Sequence, residues 1–136
     1  MILSVRHVDV VRRAYEGFNR KDFDRVLEDF DPEVELWDTL RPGSVVRGRE
    51  AVRQLWRERF GQAAAHFVID QLLELDDAVL ASVRFQSYTE RGASFGYEVS
   101  AVYRFTFHND LVVRLEARTL DEVPDSVRSL FGVGRT

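Results

Sequence analysis

Apolar side chains recur every three or four residues in three stretches of the first half of the chain, which is the spacing of one helix face. The first stretch predicts a helix over about residues 5–19, and the second predicts one over about 22–30. We expect the second helix to end before Pro32, because the residue before a proline avoids helical dihedral angles. The third stretch predicts a helix over about 49–60.

After residue 66 the apolar period changes from 3.6 to 2, which is typical of β-strands. Four strands are predicted in this half of the chain, over residues 67–75, 79–86, 95–107 and 111–117. One short strand is predicted earlier, over residues 33–38. Asn109-Asp110 suits a two-residue hairpin turn. Residues 39–47 are predicted to form a loop and residues 121–130 a short helix.

This order of elements predicts the class of the fold. Strands that follow one another through turns pair antiparallel, and helices grouped ahead of such strands are typical of an α+β domain. At 136 residues the chain is expected to be one domain spanning 1–136, with a core over about 5–121 and a tail over about 122–136.

Composition narrows the possible functions. The chain has no cysteine, which excludes disulfides and thiolate chemistry. Its net charge of -4 disfavours nucleic-acid binding, which requires a basic face. No apolar run reaches the roughly 20 residues of a membrane span, and no signal peptide is evident, so no membrane association and a cytoplasmic location are expected.

Three short motifs carry a family resemblance. Residues 14–24 have the order aromatic-x-x-hydrophobic-Asn-x-x-Asp-hydrophobic-Asp, residues 30–38 form an acidic turn and a strand, and residues 48–52 begin a helix. In this order, ahead of the strands, they resemble the SnoaL-like proteins of the nuclear transport factor 2 and ketosteroid isomerase superfamily. The resemblance implies a cone-shaped α+β fold, with N-terminal helices packed on a strongly curved, mostly antiparallel sheet. It also implies a homodimer formed through the convex face of that sheet.

Asp38 is the best candidate for a catalytic residue. The resemblance places it, without a gap from Asn19, on the position of the isomerases' proton-transferring carboxylate. The pattern of residues supports the same position, because Asp38 ends a strand in which Val34 and Leu36 should face the core. A carboxylate directed into an apolar cavity becomes a better base, because burial raises its pKa. The alternative is a solvated acid in a turn.

The resemblance also implies two hydrogen-bond donors for an enolate oxygen, and both are missing. Their positions are occupied by Ala14 and Ala101. Tyr15 lies beside the lost tyrosine on the apolar side of the first helix, so we name it as a second catalytic candidate. The alternative for Tyr15 is an ordinary core aromatic.

The remaining candidates are predicted to contact a ligand. They are Leu40, Trp56, Phe60, Tyr97, Val99, Tyr103, Glu116 and Arg118. Tyr97, Val99 and Tyr103 share one face of the long strand, whereas Glu116 and Arg118 reach the pocket only in the isomerase register. The alternatives are core packing for the aromatic residues and a solvated face for the two charged ones. Trp37 should face outward and suggests a dimer interface.

Three hypotheses for function remain open. The first is a SnoaL-like enzyme of the isomerase or cyclase type that transfers a proton on an apolar or aromatic carbonyl compound, with Asp38 as base and no cofactor or metal. The second is a binding or dimerisation domain without chemistry. The third is a water-activating enzyme like an epoxide hydrolase, which requires Asp38, Glu116 and Arg118 to converge.

Overall fold

The structure is a computed structural model that describes residues 7–38, 43–61, 65–88 and 95–118. Its helices are α1 (His7–Asn19), α2 (Phe23–Leu27) and α3 (Arg49–Phe60). Its strands are β1 (Phe30–Asp38), β2 (Ser44–Arg47), β3 (Ala65–Glu74), β4 (Ala78–Tyr88), β5 (Phe95–His108) and β6 (Leu111–Arg118).

The strands form one six-stranded sheet in the order β2-β1-β6-β5-β4-β3. Every neighbouring pair is antiparallel except β1 and β6, which run parallel. Bulges interrupt the β3–β4, β4–β5 and β5–β6 pairs, and such bulges bend a sheet. All three helices come before the run of strands from β3 to β6 and cover one face of the curved sheet, which confirms the predicted α+β cone.

Helix α1 follows the predicted apolar pattern and packs closely against α2. A Cβ added to Gly17 would lie 2.6 Å from Cγ2 of Val26, so only glycine permits this approach. After α1, Lys21 adopts the left-handed conformation with φ 63°, and the backbone N–H of Asp22 donates to the carbonyl of Gly17 at 2.8 Å. This turn directs the chain into α2.

The predicted end of the second helix is wrong. Helix α2 ends at Leu27, and β1 begins at Phe30 and passes through Pro32. Pro32 lies in the stretch between Phe30 and Glu35, where the pairing of β1 with β6 shifts register. A proline is tolerated there because a strand residue at an irregularity need not donate to the ladder.

Strand β2 lies in the segment 39–47 that was predicted to be a loop. Its four residues pair antiparallel with the end of β1, and a strand of four residues is too short to show a clear alternation in the sequence. Gly48 follows with φ 94°, a conformation that favours glycine, and its N–H donates to the carbonyl of Val34 at 2.8 Å. This bond fixes the start of α3 against β1.

Other predictions are confirmed with small changes of boundary. Helix α3 spans the predicted residues, and β3 to β6 occupy the predicted strands. Asn109 and Asp110 have φ of 51° and 65°, the two positive values of a type I′ hairpin turn. The helix predicted at 121–130 lies outside the described residues. None of the helices in the described ranges is long and apolar enough to cross a membrane.

The two faces of the sheet differ in what covers them. The concave face packs against the helices and includes the fully buried residues Phe30, Val34, Val79, Val83, Phe105 and Val112. The convex face carries alternate residues of the same strands, among them a small apolar cluster formed by Leu73, Leu75, Leu80 and Val102. The main core of the domain therefore lies between the concave face and the helices.

Candidate functional site

Aromatic rings fill the deep part of the space between the concave face and the helices. The ring of Tyr15, on α1, lies 5.4 Å from that of Phe67 and 5.8 Å from that of Phe105. Further contacts join Phe18, Phe23, Phe30, Phe60, Phe85 and Trp56 into one cluster. Offset and edge-on contacts of this kind stabilise a core beyond the area that they bury.

Trp56 belongs to the closed end of this cluster. Its ring lies 4.4 Å from Phe18, 6.0 Å from Phe23 and 5.8 Å from Phe30, and the residue is 3% exposed. The predicted ligand contact of Trp56 is therefore corrected to a packing role, because three other rings occupy the space around it.

The concave face becomes accessible toward the other end of β5. Phe105 is 1% exposed, Tyr103 is partly buried, and Val99 is 48% exposed. Phe60 of α3 is also partly buried at this end, where its ring contacts Phe85 of β4 at 6.1 Å. A small molecule could therefore reach the concave face beside Tyr103 and Val99.

Two tyrosines bring hydroxyl groups to this apolar surrounding. Burial raises the pKa of Tyr15 well above the ordinary value of 10.0, and the electrostatic influence of Tyr103 raises this pKa further. Burial also raises the pKa of Tyr103. Both hydroxyls are therefore protonated at neutral pH, so each is able to donate a hydrogen bond to a developing oxyanion.

Asp38 ends β1 near this accessible end. It pairs with Ser44 of β2, and Leu36, two residues earlier, pairs with Leu115 of β6 and packs on the concave core. Two residues beyond Leu115, Ala117 pairs with Tyr103. The end of β1 and Tyr103 thus flank the same part of β6.

Part of the predicted site lies outside the described residues. This applies to the whole of Leu40 and to the side chains of Asp38, Tyr97 and Arg118. The backbone pairing places Tyr97 opposite Ser87 and Arg118 opposite Val102. The roles proposed for these four residues remain predictions.

Glu116 does not belong to the concave site. Its position on β6 pairs with Arg104 and with Trp37, which both belong to the convex face, whereas Leu115 and Ala117 pair with Phe105 and Tyr103. The predicted direction of Glu116 toward the pocket is therefore wrong. The residue is only 5% exposed, and Nη1 of Arg114 lies 3.9 Å from its Oε2.

A bulge determines which face each residue of β6 occupies. Phe107 pairs with Val112 and Thr106 pairs with Arg114, so Val113 is the extra residue. Val112 and Leu115 are therefore both buried in the main core, although they are three positions apart.

The convex face carries an ion network around Glu35. Its carboxylate accepts from Nη2 of Arg47 at 2.6 Å and from Nε1 of Trp37 at 3.2 Å, and Arg114 lies 3.5 Å away. These contacts lower the pKa of Glu35, with the hydrogen bonds from Arg47 and Trp37 as the main causes. The guanidinium of Arg114 also lies 4.9 Å from the ring centre of Trp37.

The side chain of Asn19 has a structural role that the sequence did not predict. Its Nδ2 donates to the carbonyl of Phe67 at 2.9 Å, and its Oδ1 accepts from the N–H of the same residue at 2.8 Å. The bonds join the end of α1 to β3 and hold Phe67 beside Tyr15. The available signal was an amide residue at a helix terminus, which marks the boundary but not the distant partner.

We looked for side chains that could bind a metal ion in the part of the chain that the structure describes. No group of three histidine, aspartate or glutamate side chains is arranged there to hold a metal ion. His7 instead stacks on Phe107 at 4.0 Å, and its Nε2 lies 3.2 Å from Oδ1 of Asp110. His7 thus joins the start of α1 to the β5–β6 turn.

Comparisons with known proteins agree on the fold. Residues 11–115 match the family described as the SnoaL-like domain. No curated protein matches the chain. Among solved structures, Bal32a from a soil-derived mobile gene cassette is 26% identical, with a TM-score of 0.70, over 82% of this chain and 87% of Bal32a.

Two further structures contain ligands. Rv0760c from Mycobacterium tuberculosis, in complex with estradiol-17beta-hemisuccinate, is 14% identical, with a TM-score of 0.70, over 85% of this chain and 95% of that one. TerC, co-crystallized with polyporic acid, is 16% identical, with a TM-score of 0.68, over 93% of this chain and 98% of that one. At these identities the likeness shows the shared fold.

Proposed function

The chain belongs to the family of SnoaL-like domains, and we propose that it binds a small apolar or aromatic carbonyl compound at the accessible end of its concave face and transfers a proton on it. The observation that carries this proposal is the gradient of exposure along β5. The concave face is closed at Phe105 and open at Val99, with the protonated hydroxyl of Tyr103 between them. An open apolar surface with a few polar groups is typical of small-molecule sites.

In this proposal Asp38 is the general base. Its carboxylate takes a proton from the carbon next to the substrate carbonyl, and the electron pair of that C–H bond moves to leave a negative charge on the carbonyl oxygen. Returning the proton to another carbon completes an isomerisation. In a cyclisation the carbanion instead attacks a second carbonyl carbon, the π electrons of that C=O move to its oxygen, and Asp38 returns the proton to the resulting alkoxide. The position of Asp38 at the end of β1, in phase with Leu36, supports this role.

The donors for that oxygen would be Tyr15 and Tyr103. Neither occupies the position that the isomerase resemblance implies, so this chain would stabilise an enolate with a different pair of hydroxyls. Their raised pKa values support the assignment, because a tyrosine must remain protonated in order to donate. The ligands in the structures of Rv0760c and TerC are aromatic molecules, which supports a ligand of this chemical class.

The test is binding and turnover with matched variants. Estradiol-17beta-hemisuccinate and polyporic acid serve as binding probes, and a panel of β,γ-unsaturated ketones serves as substrates. We expect Asp38→Asn to abolish turnover and to retain binding, and Tyr103→Phe to reduce turnover by about 10²-fold or more. Trp37→Phe, on the convex face, is the control and should leave turnover unchanged. Equal turnover by Asp38→Asn and the wild type would refute the role of the base.

A non-catalytic assembly domain is the second candidate, and the convex face favours it. Trp37 and Val45 form a register pair between β1 and β2, and each is 42% exposed. Paired apolar side chains of this kind suit a homodimer interface. We expect sedimentation to show a dimer that Trp37→Glu dissociates. A monomeric wild type would remove this candidate.

The epoxide-hydrolase alternative is not proposed. It requires Glu116 and Arg118 to meet Asp38, and Glu116 lies among convex residues.

A further inference from the structure

A groove runs along the outside of α1, beside the edge strand β3. It has a volume of about 600 Å³ and an apolar floor formed by Phe67, Ile69 and Leu72. Its rim carries Arg12, Glu16 and Asp70, and among those residues of the predicted concave site whose side chains the structure describes, only Tyr15 borders it. The groove is therefore separate from the opening beside Tyr103.

The edge of β3 opposite β4 pairs with no other strand in the described ranges, and one of its positions is already paired with an amide. The side chain of Asn19 bonds both the N–H and the C=O of Phe67. A strand residue that exchanges both bonds with one partner presents both groups on the same side. Since Asn19 is not part of β4, these groups of Phe67 point away from β4 and toward the groove.

The same direction recurs along the strand. In an antiparallel ladder the backbone groups of every second residue point the same way, so those of Ile69 follow those of Phe67. A bulge between Ile69 and Gln71 then shifts the register by one residue. The partners of Phe67, Ile69 and Leu72 on β4 are Phe85, Val83 and Ala81, which are two residues apart on that strand. The backbone N–H and C=O of Leu72 therefore also point away from β4, like those of Phe67 and Ile69.

The rim offers charges of both signs. Arg12 and Glu16 are exposed on α1, and neither forms an ion pair with any residue that the structure describes. Asp70, at the bulge, is paired with Arg84 at 2.9 Å. The groove thus combines an apolar floor with outward backbone donors and acceptors and with one cation and one anion on its outer wall.

We propose that this groove binds an extended polypeptide segment, which pairs with Ile69 and Leu72 of β3 as a seventh strand. The backbone of an extended peptide has N–H donors and C=O acceptors at the same spacing as those of β3, so each can pair with a matching group on the edge of β3. Alternate side chains of the segment would pack on the floor beside Ile69 and Leu72. Asn19 would set the register, since it blocks the position at Phe67.

The test uses capped hexapeptides of alternating valine and threonine, ending in glutamate, lysine or neither. Each is titrated into the ¹⁵N-labelled full chain, and backbone resonances are followed by NMR. We expect saturable changes at Ile69, Leu72 and the facing turns of α1, with the N–H groups of Ile69 and Leu72 becoming protected from hydrogen exchange. No change at these groups with any of the three peptides would overturn the proposal.

Two controls separate strand pairing from simple apolar binding. A peptide N-methylated at alternate residues cannot donate to β3, so it should lose binding, and equal binding by it would overturn the proposal. Leu72→Pro removes only an outward N–H, and we expect it to weaken binding about fivefold or more relative to Leu72→Val, because one hydrogen bond is lost. The N-methylated peptide decides the question if Leu72→Pro fails to fold. The readouts involve neither Asp38 nor turnover, so they are independent of the proposed reaction.

Discussion

The concave and convex faces of the same sheet use opposite means of stabilisation. On the concave side, rings such as Tyr15, Phe67 and Phe105 are buried against one another, and the few polar groups have raised pKa values through desolvation. On the convex side, Glu35 lies in a solvated ion network, and its pKa is lowered by Arg47 and Trp37. The face on which a side chain lies thus determines whether its environment favours the neutral or the charged form.

The largest expected effect separates the two faces by their packing. Phe105 is 1% exposed in the concave core, whereas Trp37 is 42% exposed on the convex face. We expect Phe105→Ala to lower the free energy of unfolding by about 3–5 kcal/mol, and Trp37→Ala to lower it by only about 1 kcal/mol. Urea unfolding of both variants measures the difference. Equal losses would contradict the contrast between the faces.

A smaller difference is expected between polar contacts on the two sides. Asn19→Ala removes two partly buried hydrogen bonds to Phe67 and should cost about 2 kcal/mol. Arg84→Gln breaks the exposed ion pair with Asp70 and should cost less than about 1 kcal/mol. The same unfolding assay measures both variants. A greater loss for Arg84→Gln would show that the half-buried amide bonds are not the stronger support of β3.

The decrease in stability at alkaline pH should depend on the buried hydroxyl of Tyr15. Its pKa in the folded chain lies well above the ordinary value of 10.0 that it has when unfolded. The contribution of Tyr15 is therefore fully present below about pH 10 and is lost as the pH rises from there toward the folded pKa. Thermal unfolding above pH 10 should be less pH-dependent in Tyr15→Phe than in the wild type. Identical slopes would mean that the hydroxyl is not desolvated.

The smallest effect is expected from Glu35 at acid pH. Its folded pKa is lowered below the ordinary value of 4.5, so its contribution is present above that value and is lost as the pH falls through the folded pKa. Glu35→Gln should flatten the acid limb slightly, and added salt should reduce the difference, because the network is solvated. A difference that persists in 1 M salt would indicate a less exposed network.

The local elements could be predicted from the sequence, because their signals are local. The apolar spacing of α3 and the left-handed preference of Asn109 and Asp110 each depend on a few neighbouring residues. The start of β1 at Phe30 depends on pairing with β6, which lies about 80 positions further along the chain, so no local pattern marks it. Strand β2 pairs with the neighbouring β1, but its four residues are too few for an alternating pattern to be recognised.

The site could be predicted only in part, because direction depends on register. Tyr15 and Tyr103 were placed on apolar faces by periodicity, and both lie in the concave region. Glu116 was placed on the wrong face, since the isomerase register gives no account of the bulge at Val113. The pairing of Asn19 with Phe67 joins residues 48 positions apart, and no local pattern contains that information.

The central claim is that ligand binds on the concave face, beside the tyrosines, and not on the convex face. The most direct measurement is ¹⁹F NMR of the chain labelled with fluorotyrosine and fluorotryptophan, assigned by single substitutions and titrated with polyporic acid. We predict saturable shifts of the Tyr103 and Tyr15 resonances and an unchanged Trp37 resonance. A shift of Trp37 with Tyr103 and Tyr15 unmoved would contradict the claim.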